Sequence, residues 1–175
     1  MIDKIRVTQI LSPVFQKGVF MKVVVGSSIR ELLQDQLGIT RDFVDSQIAT
    51  VFLNGKAVDN IDRAIVRNNC EIALSGAMPG FVGATMRRGG YYSSMRAAIS
   101  YVEENPISGS GEGLIRIKLY NTLIDSLGKL FARQGFFIQE IDLSSLNGTR
   151  IEPFLTTTRY EQFPDLVLVK VDADS

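Results

Sequence analysis

The chain has 175 residues, 45% of them apolar, with 19 basic and 19 acidic side chains. That length suits one domain or two small ones, and zero net charge gives no electrostatic reason for a nucleic-acid or anionic-membrane partner. Histidine is absent and cysteine occurs once, which excludes an internal disulfide, Ser-His or Cys-His nucleophiles and the usual His/Cys zinc sites. No metal or cofactor is expected, and any catalysis would fall to Asp, Glu, Lys, Tyr, Arg or Cys70. The most apolar window, Val19 to Val25, is interrupted by Lys22 and is far shorter than a membrane span. The opening MIDKIRVTQI alternates apolar and polar residues, unlike a signal peptide. A cytoplasmic protein is expected.

Lys4 to Leu11 reads as a half-buried strand, with Ile5 and Val7 on one face and Lys4, Arg6 and Thr8 on the other. Val19 to Val25 repeats the alternation. Pro13 and Gly18 lie between the two and predict a hairpin. Ser28 opens a helix, because Glu31 three residues on completes a capping box. Ile29, Leu32, Leu33 and Leu37 form its apolar stripe, and Gly38 ends it. Ile48 to Leu53 is a third strand. Asn54-Gly55 predicts a type I′ turn, whose two central residues need positive φ. Cys70 to Leu74 is a further strand with Cys70, Ile72 and Leu74 on one side, so Cys70 reads as a buried, inert thiol.

A strand pair, a crossing helix and returning strands make the β-grasp arrangement. On VFLNGKAV followed by NNCEIALSGAMPG, residues 4 to 80 resemble the ThiS/MoaD family of small sulfur carriers. GSSIRELLQDQLGI stands where that family has its helix. The resemblance implies an α+β, ubiquitin-like N-terminal domain over residues 1–80. Family members end at Gly-Gly, whose carboxylate is adenylated and becomes a thiocarboxylate. Here Met78-Pro79-Gly80 stands at that point and the chain runs on to Ser175. A second basic Gly-Gly sequence, Arg87-Arg88-Gly89-Gly90, is also internal. Two roles follow: a non-catalytic binding or adaptor protein, or a latent carrier released by cleavage after Gly80 or Gly90.

Eight of the 15 glycines lie between Gly76 and Gly113, marking a connector over residues 81–112. Inside it, Ser93 to Glu104 predicts a helix with Met95, Ala98, Ile99 and Val102 as its buried stripe. Arg87, Arg88, Gly89, Gly90 and Ser93 stand at that helix's start and form a candidate anion site, for a small-anion binder or an enzyme. No Walker-type lysine follows these glycines.

Residues 113–175 read as a small α+β unit. It contains a strand from Leu114 to Tyr120, a helix with Leu123, Ile124, Leu127, Leu130 and Phe131 inward, and Gly135 as its stop. A strand from Phe136 to Leu143, an Asn147-Gly148 turn and a last strand from Leu166 to Val171 follow. Thr156, Thr157 and Thr158 suggest an edge strand or loop. So short a unit is expected to pack on the first or to self-associate into a homo-oligomer. If the first helix covers the Ile5/Val23/Leu53 face, the other face carries Arg6, Thr8, Phe20, Lys22, Val24 and Phe52. That apolar centre with a basic rim is the expected surface for a protein partner.

Overall fold

The computed structural model describes residues 7–103 and 109–172. The fold is mixed α/β, built on one open sheet of eight strands. Its elements in chain order are α1 (Val7–Lys17), β1 (Val19–Val25), α2 (Ile29–Glu31, continued by a π-helical turn Leu32–Gln36) and α3 (Arg41–Gln47). Next come β2 (Thr50–Leu53), β3 (Lys56–Ala57), β4 (Glu71–Ser75), α4 (Gly80–Met86) and a 3-10 stretch Ser93–Ile99. The chain closes with β5 (Gly111–Tyr120), α5 (Thr122–Gln134), β6 (Phe136–Gln139), α6 (Glu140–Leu143), β7 (Leu155–Arg159) and β8 (Leu166–Val171).

Three sequence signals became the structures they predict. Ser28 caps α2: its side chain accepts from the Glu31 N–H while the Glu31 carboxylate accepts from the Ser28 N–H. Asn54 and Gly55 both have positive φ, 49° and 78°. Gly135, at φ 94°, stops α5.

The expected N-terminal strand is corrected. Lys4, Ile5 and Arg6 fall outside the described residues, and the chain from Val7 is helical. Val7, Leu11, Val14 and Phe15 are its buried apolar residues, a helical spacing that prevailed over the shorter alternation. Pro13 sits inside α1 on its exposed side, where the backbone carbonyl it leaves unpaired can meet water. The predicted hairpin is therefore absent. β1 pairs antiparallel with β5, Val19 opposite Ile117 and Val25 opposite Gly111, and with β6 at Phe20. The strand predicted to reach Leu143 ends at Gln139, where α6 begins. In the Asn147-Gly148 turn only Gly148 has positive φ, 72°.

The strand order is β3-β2-β4-β5-β1-β6-β8-β7. β4 and β5 run parallel, and every other pairing is antiparallel. Residues 1–80 and 113–175 both contribute, and β5 lies between two strands of the first segment. The helices share one core with the inward side chains of the sheet: Val19, Met21, Val23, Leu53, Ile72, Leu74, Ile117 and Val169 are buried with Leu32, Leu33, Leu127 and Phe131. Phe15 of α1 meets Phe131 and Phe136 edge-on, with ring centroids 6.3 and 5.2 Å apart. Gly128 of α5 permits that approach, since a Cβ there would stand 2.9 Å from the Phe15 ring.

Candidate functional site

Alternation sends Phe20, Lys22 and Val24 of β1 to the sheet face opposite the core, and Phe52 of β2 joins them there. Arg6 lies outside the described residues, and Thr8 is buried in α1, donating from its hydroxyl to Asp125 at 2.7 Å. Lys22 remains 41% exposed and Val24 49%. The sheet registers add residues from the rest of the chain. Phe20 pairs with Arg116 on one side and Phe137 on the other, and the Arg116 guanidinium lies 5.5 Å over the Phe20 ring. Ala73 brings Phe52 and Lys118 together, one from each flanking strand. Charges on this face are partly paired: Lys22 with Glu112 at 2.8 Å, and Lys118 and Arg116 with Glu71 at 2.9 and 3.7 Å. Three cations thus stand against two carboxylates around an apolar centre. Beside it, Phe137 meets Tyr160 and Phe163 edge-on at the rim of a cleft of about 670 Å³.

The Arg87–Ser93 loop uses its donors internally. The Arg88 N–H donates to the Ala49 carbonyl at 2.8 Å, Gly89 to the Asp59 carboxylate at 2.9 Å, Gly90 to Arg87 at 3.1 Å and Ser93 to Gly90 at 3.0 Å. The Arg88 guanidinium donates to the carbonyls of Val44 and Ile48, at the C-terminal end of α3. Burial, then the neighbouring Arg30 charge, pulls its pKa down. An anion bound here would have to displace Asp59, itself held by Arg96 through bonds of 2.7 and 3.2 Å.

The helix predicted over Ser93 to Glu104 is corrected. Only 3-10 turns run from Ser93 to Ile99, kinked at Arg96 (φ −114°, ψ 23°), and Glu104 falls outside the described residues. The inside and outside of the segment are also reversed. Met95 is 65% exposed, with Ile99 and Val102 also exposed, while the Arg96 side chain is buried to 3%. Arg96 donates to the Thr85 carbonyl at 2.7 Å and the Ser100 hydroxyl at 2.9 Å besides Asp59. A planar, fully partnered guanidinium organises this segment in place of an apolar stripe. Tyr91 is 91% exposed and stacks edge-on with Tyr92, which meets Phe81 the same way. One signal of this was readable: Ile72 to Val102 contains no acidic residue, so Arg96 could be paired only from outside its own stretch.

Where the segment returns to the body, Glu103 accepts from the Arg67 guanidinium, the Tyr101 hydroxyl and the Ile65 N–H. Arg67 is the main cause, with smaller help from the other two, of a Glu103 carboxyl pushed down to about 2. A carboxyl held below its unfolded value stabilises the fold above about pH 4.5 and loses that contribution as pH falls through the folded value. Wild type should therefore melt above Glu103→Gln at pH 6, with the gap closing between about pH 4.5 and 2. Melting temperatures of both proteins across that range check this, and a gap that does not change with pH would contradict it.

Cys70 is buried, as expected, and burial pushes its thiol pKa up. Among the described residues no three His, Cys, Asp or Glu side chains come together to hold a metal, and no helix is long and apolar enough to cross a membrane. Comparison with family models, with curated proteins and with solved structures gives no match.

Proposed function

We propose that this chain is a non-catalytic binding protein that docks a protein partner on its open sheet face, using a β-grasp sheet assembled in permuted order. In this reading β5 takes the place of the first β-grasp strand and β1 that of the second. α2 then crosses, and β2, β3 and β4 return. Three registers support it: β5 is antiparallel to β1 and parallel to β4, and β2 is antiparallel to β4. The first strand is then supplied after the last.

The observation that carries the docking reading is the one-sidedness of the sheet. Helices and inward side chains share one core. The other face gathers Phe20, Val24 and Phe52 with a surplus cation among Lys22, Arg116 and Lys118, which suits a partner with an apolar centre and an acidic rim. The latent-carrier reading fares worse, because cleavage after Gly80 or Gly90 would sever β5 from the strands it joins. The anion-site reading would require the loop donors to leave Ala49, Asp59 and Arg87.

Val24→Asp combined with Phe52→Asp should keep the fold, since neither side chain enters the core. It should weaken the partner recovered from the native cell by wild-type protein at least about tenfold. Affinity capture with both proteins, side by side, measures this. Recovery of no specific partner, or equal recovery by the variant, would overturn the docking reading. Intact mass of the native protein addresses the carrier, which requires a truncated or thiocarboxylate form.

A further inference from the structure

The two edges of the sheet are finished differently. At the β3 edge the chain covers itself: Ser100 bridges Ala57, and the Tyr101 N–H donates to the Ala57 carbonyl at 2.7 Å. The single exposed charge there, Lys56, is a common guard of sheet edges. At the β7 edge, among the described residues, no segment pairs with the outer side. β7 reads Leu-Thr-Thr-Thr-Arg, with no proline, lysine or glycine, and its last four residues are exposed. β-branched threonines favour the extended state, so this polar strand suits pairing, and its one charge, Arg159, is already paired with Glu140.

Its backbone register decides what fits. The Asp172 N–H donates to the Phe154 carbonyl at 3.0 Å, in line with Leu155 opposite Val171. In an antiparallel ladder the bonded residues alternate. Thr156 and Thr158 therefore face β8 through their backbone groups, while Thr157 and Arg159 turn theirs outward, as Leu155 does its carbonyl; the Leu155 N–H donates to the Glu152 carbonyl. The outward set is symmetric about Thr157.

We propose that β7 is a homodimer edge: two copies of this chain pair their β7 strands antiparallel about Thr157, joining both sheets into one. Thr157 then faces Thr157, and Leu155 faces Arg159 in both directions. Thr157 and its copy then exchange two bonds, and each Arg159 N–H donates to the Leu155 carbonyl of the other copy, while the Leu155 N–H stays with Glu152. Thr156 of one copy stands beside Thr158 of the other on the same sheet face, a favourable cross-strand pair. Two features suit a second copy in particular. No like charges come opposite each other, because Arg159 faces Leu155 and its guanidinium is held by Glu140 at 2.6 Å. The chain also has zero net charge, so two copies approach without long-range repulsion. Pairing through one short strand buries little area, which makes the association weak and concentration-dependent.

Sedimentation velocity of the full chain over a concentration series tests this directly. Wild type should shift from monomer to dimer. Thr156→Lys with Thr158→Lys sets lysines opposite lysines across the two-fold and should raise the dissociation constant at least about tenfold, as should the matching double glutamate variant. An equimolar mixture of the two variants should recover dimer, because each lysine then meets a glutamate. Thr157→Pro removes an outward N–H while sparing the ladder to β8 and should also give a monomer. A wild type that stays monomeric at all concentrations would overturn the proposal. So would a dimer that both double variants leave intact, or variants whose mixture stays monomeric.

Discussion

A chain ending at Gly90 is expected to be unfolded on its own. The truncation removes β5, which bonds to β1 along Val19–Val25 and to β4 along Glu71–Ser75. Without it, β1 has lost every strand neighbour, because β6 is removed as well. The truncation also takes away α5, whose Leu123, Leu127 and Phe131 are buried against the same core that holds Val23, Ile72 and Leu74. What remains is the helices α1 to α4, a lone strand and the β2–β3–β4 ribbon, a set too small to bury its apolar surface. The expected loss is the whole of the folding free energy, on the order of 5–15 kcal/mol. Cys70 supplies a simple readout. At 3% exposure it should resist a thiol reagent in the full chain and react at once in the truncated one. A truncated chain that melts cooperatively with a protected thiol would contradict the sheet order, and it would restore the carrier reading.

Phe15→Ala should cost about 3–5 kcal/mol, the usual range for emptying a fully buried aromatic site. Phe15 has no exposed surface and meets two rings and the Gly128 backbone of α5. Its pocket is walled by a helix and a strand that are themselves fixed by neighbours, so collapse into the void would be limited. A chain of this size should lose on the order of 10 °C in melting temperature. Phe15→Leu, which keeps most of the volume, should lose clearly less. Equal losses for the two variants, or a loss under about 1 kcal/mol for the alanine, would show that α1 does not pack on α5 as described.

Phe15 also shows where sequence reading succeeds and where it stops. Short-range signals were legible: the Ser28–Glu31 capping box, the Asn54-Gly55 turn and the alternation of Val19–Val25 each depend on residues within a few positions. Leu166–Val171 was legible for the same reason. α1 was not, because Ile5, Val7 and Thr8 fit a two-residue period while Val7, Leu11, Val14 and Phe15 fit a helical one, and Pro13 argued for a break. The packing that settles the matter, against Phe131 and Phe136, lies more than a hundred residues away. The face carrying Phe20, Lys22, Val24 and Phe52 followed from alternation alone. Arg116, Lys118 and Phe137 joined it through registers that no local pattern encodes. The segment after Ser93 is inverted because its apolar spacing does not coincide with burial. Its one deeply placed side chain is an arginine whose carboxylate partner, Asp59, precedes it by 37 residues.

The position of β5 sets the order in which the protein can form during synthesis. The first hundred residues leave the ribosome with their central hydrogen-bonding positions empty, and β1 must wait for a strand translated some ninety residues later. Helices can form and dissolve in that interval, but the sheet cannot close. For several seconds at ordinary elongation rates the nascent chain displays Val19–Val25 as an unpaired apolar strand, and Glu71–Ser75 then follows with β2 on one side and the other side open. A ribosome-bound holding chaperone should therefore engage this protein until Tyr120 has emerged, and release it soon afterwards.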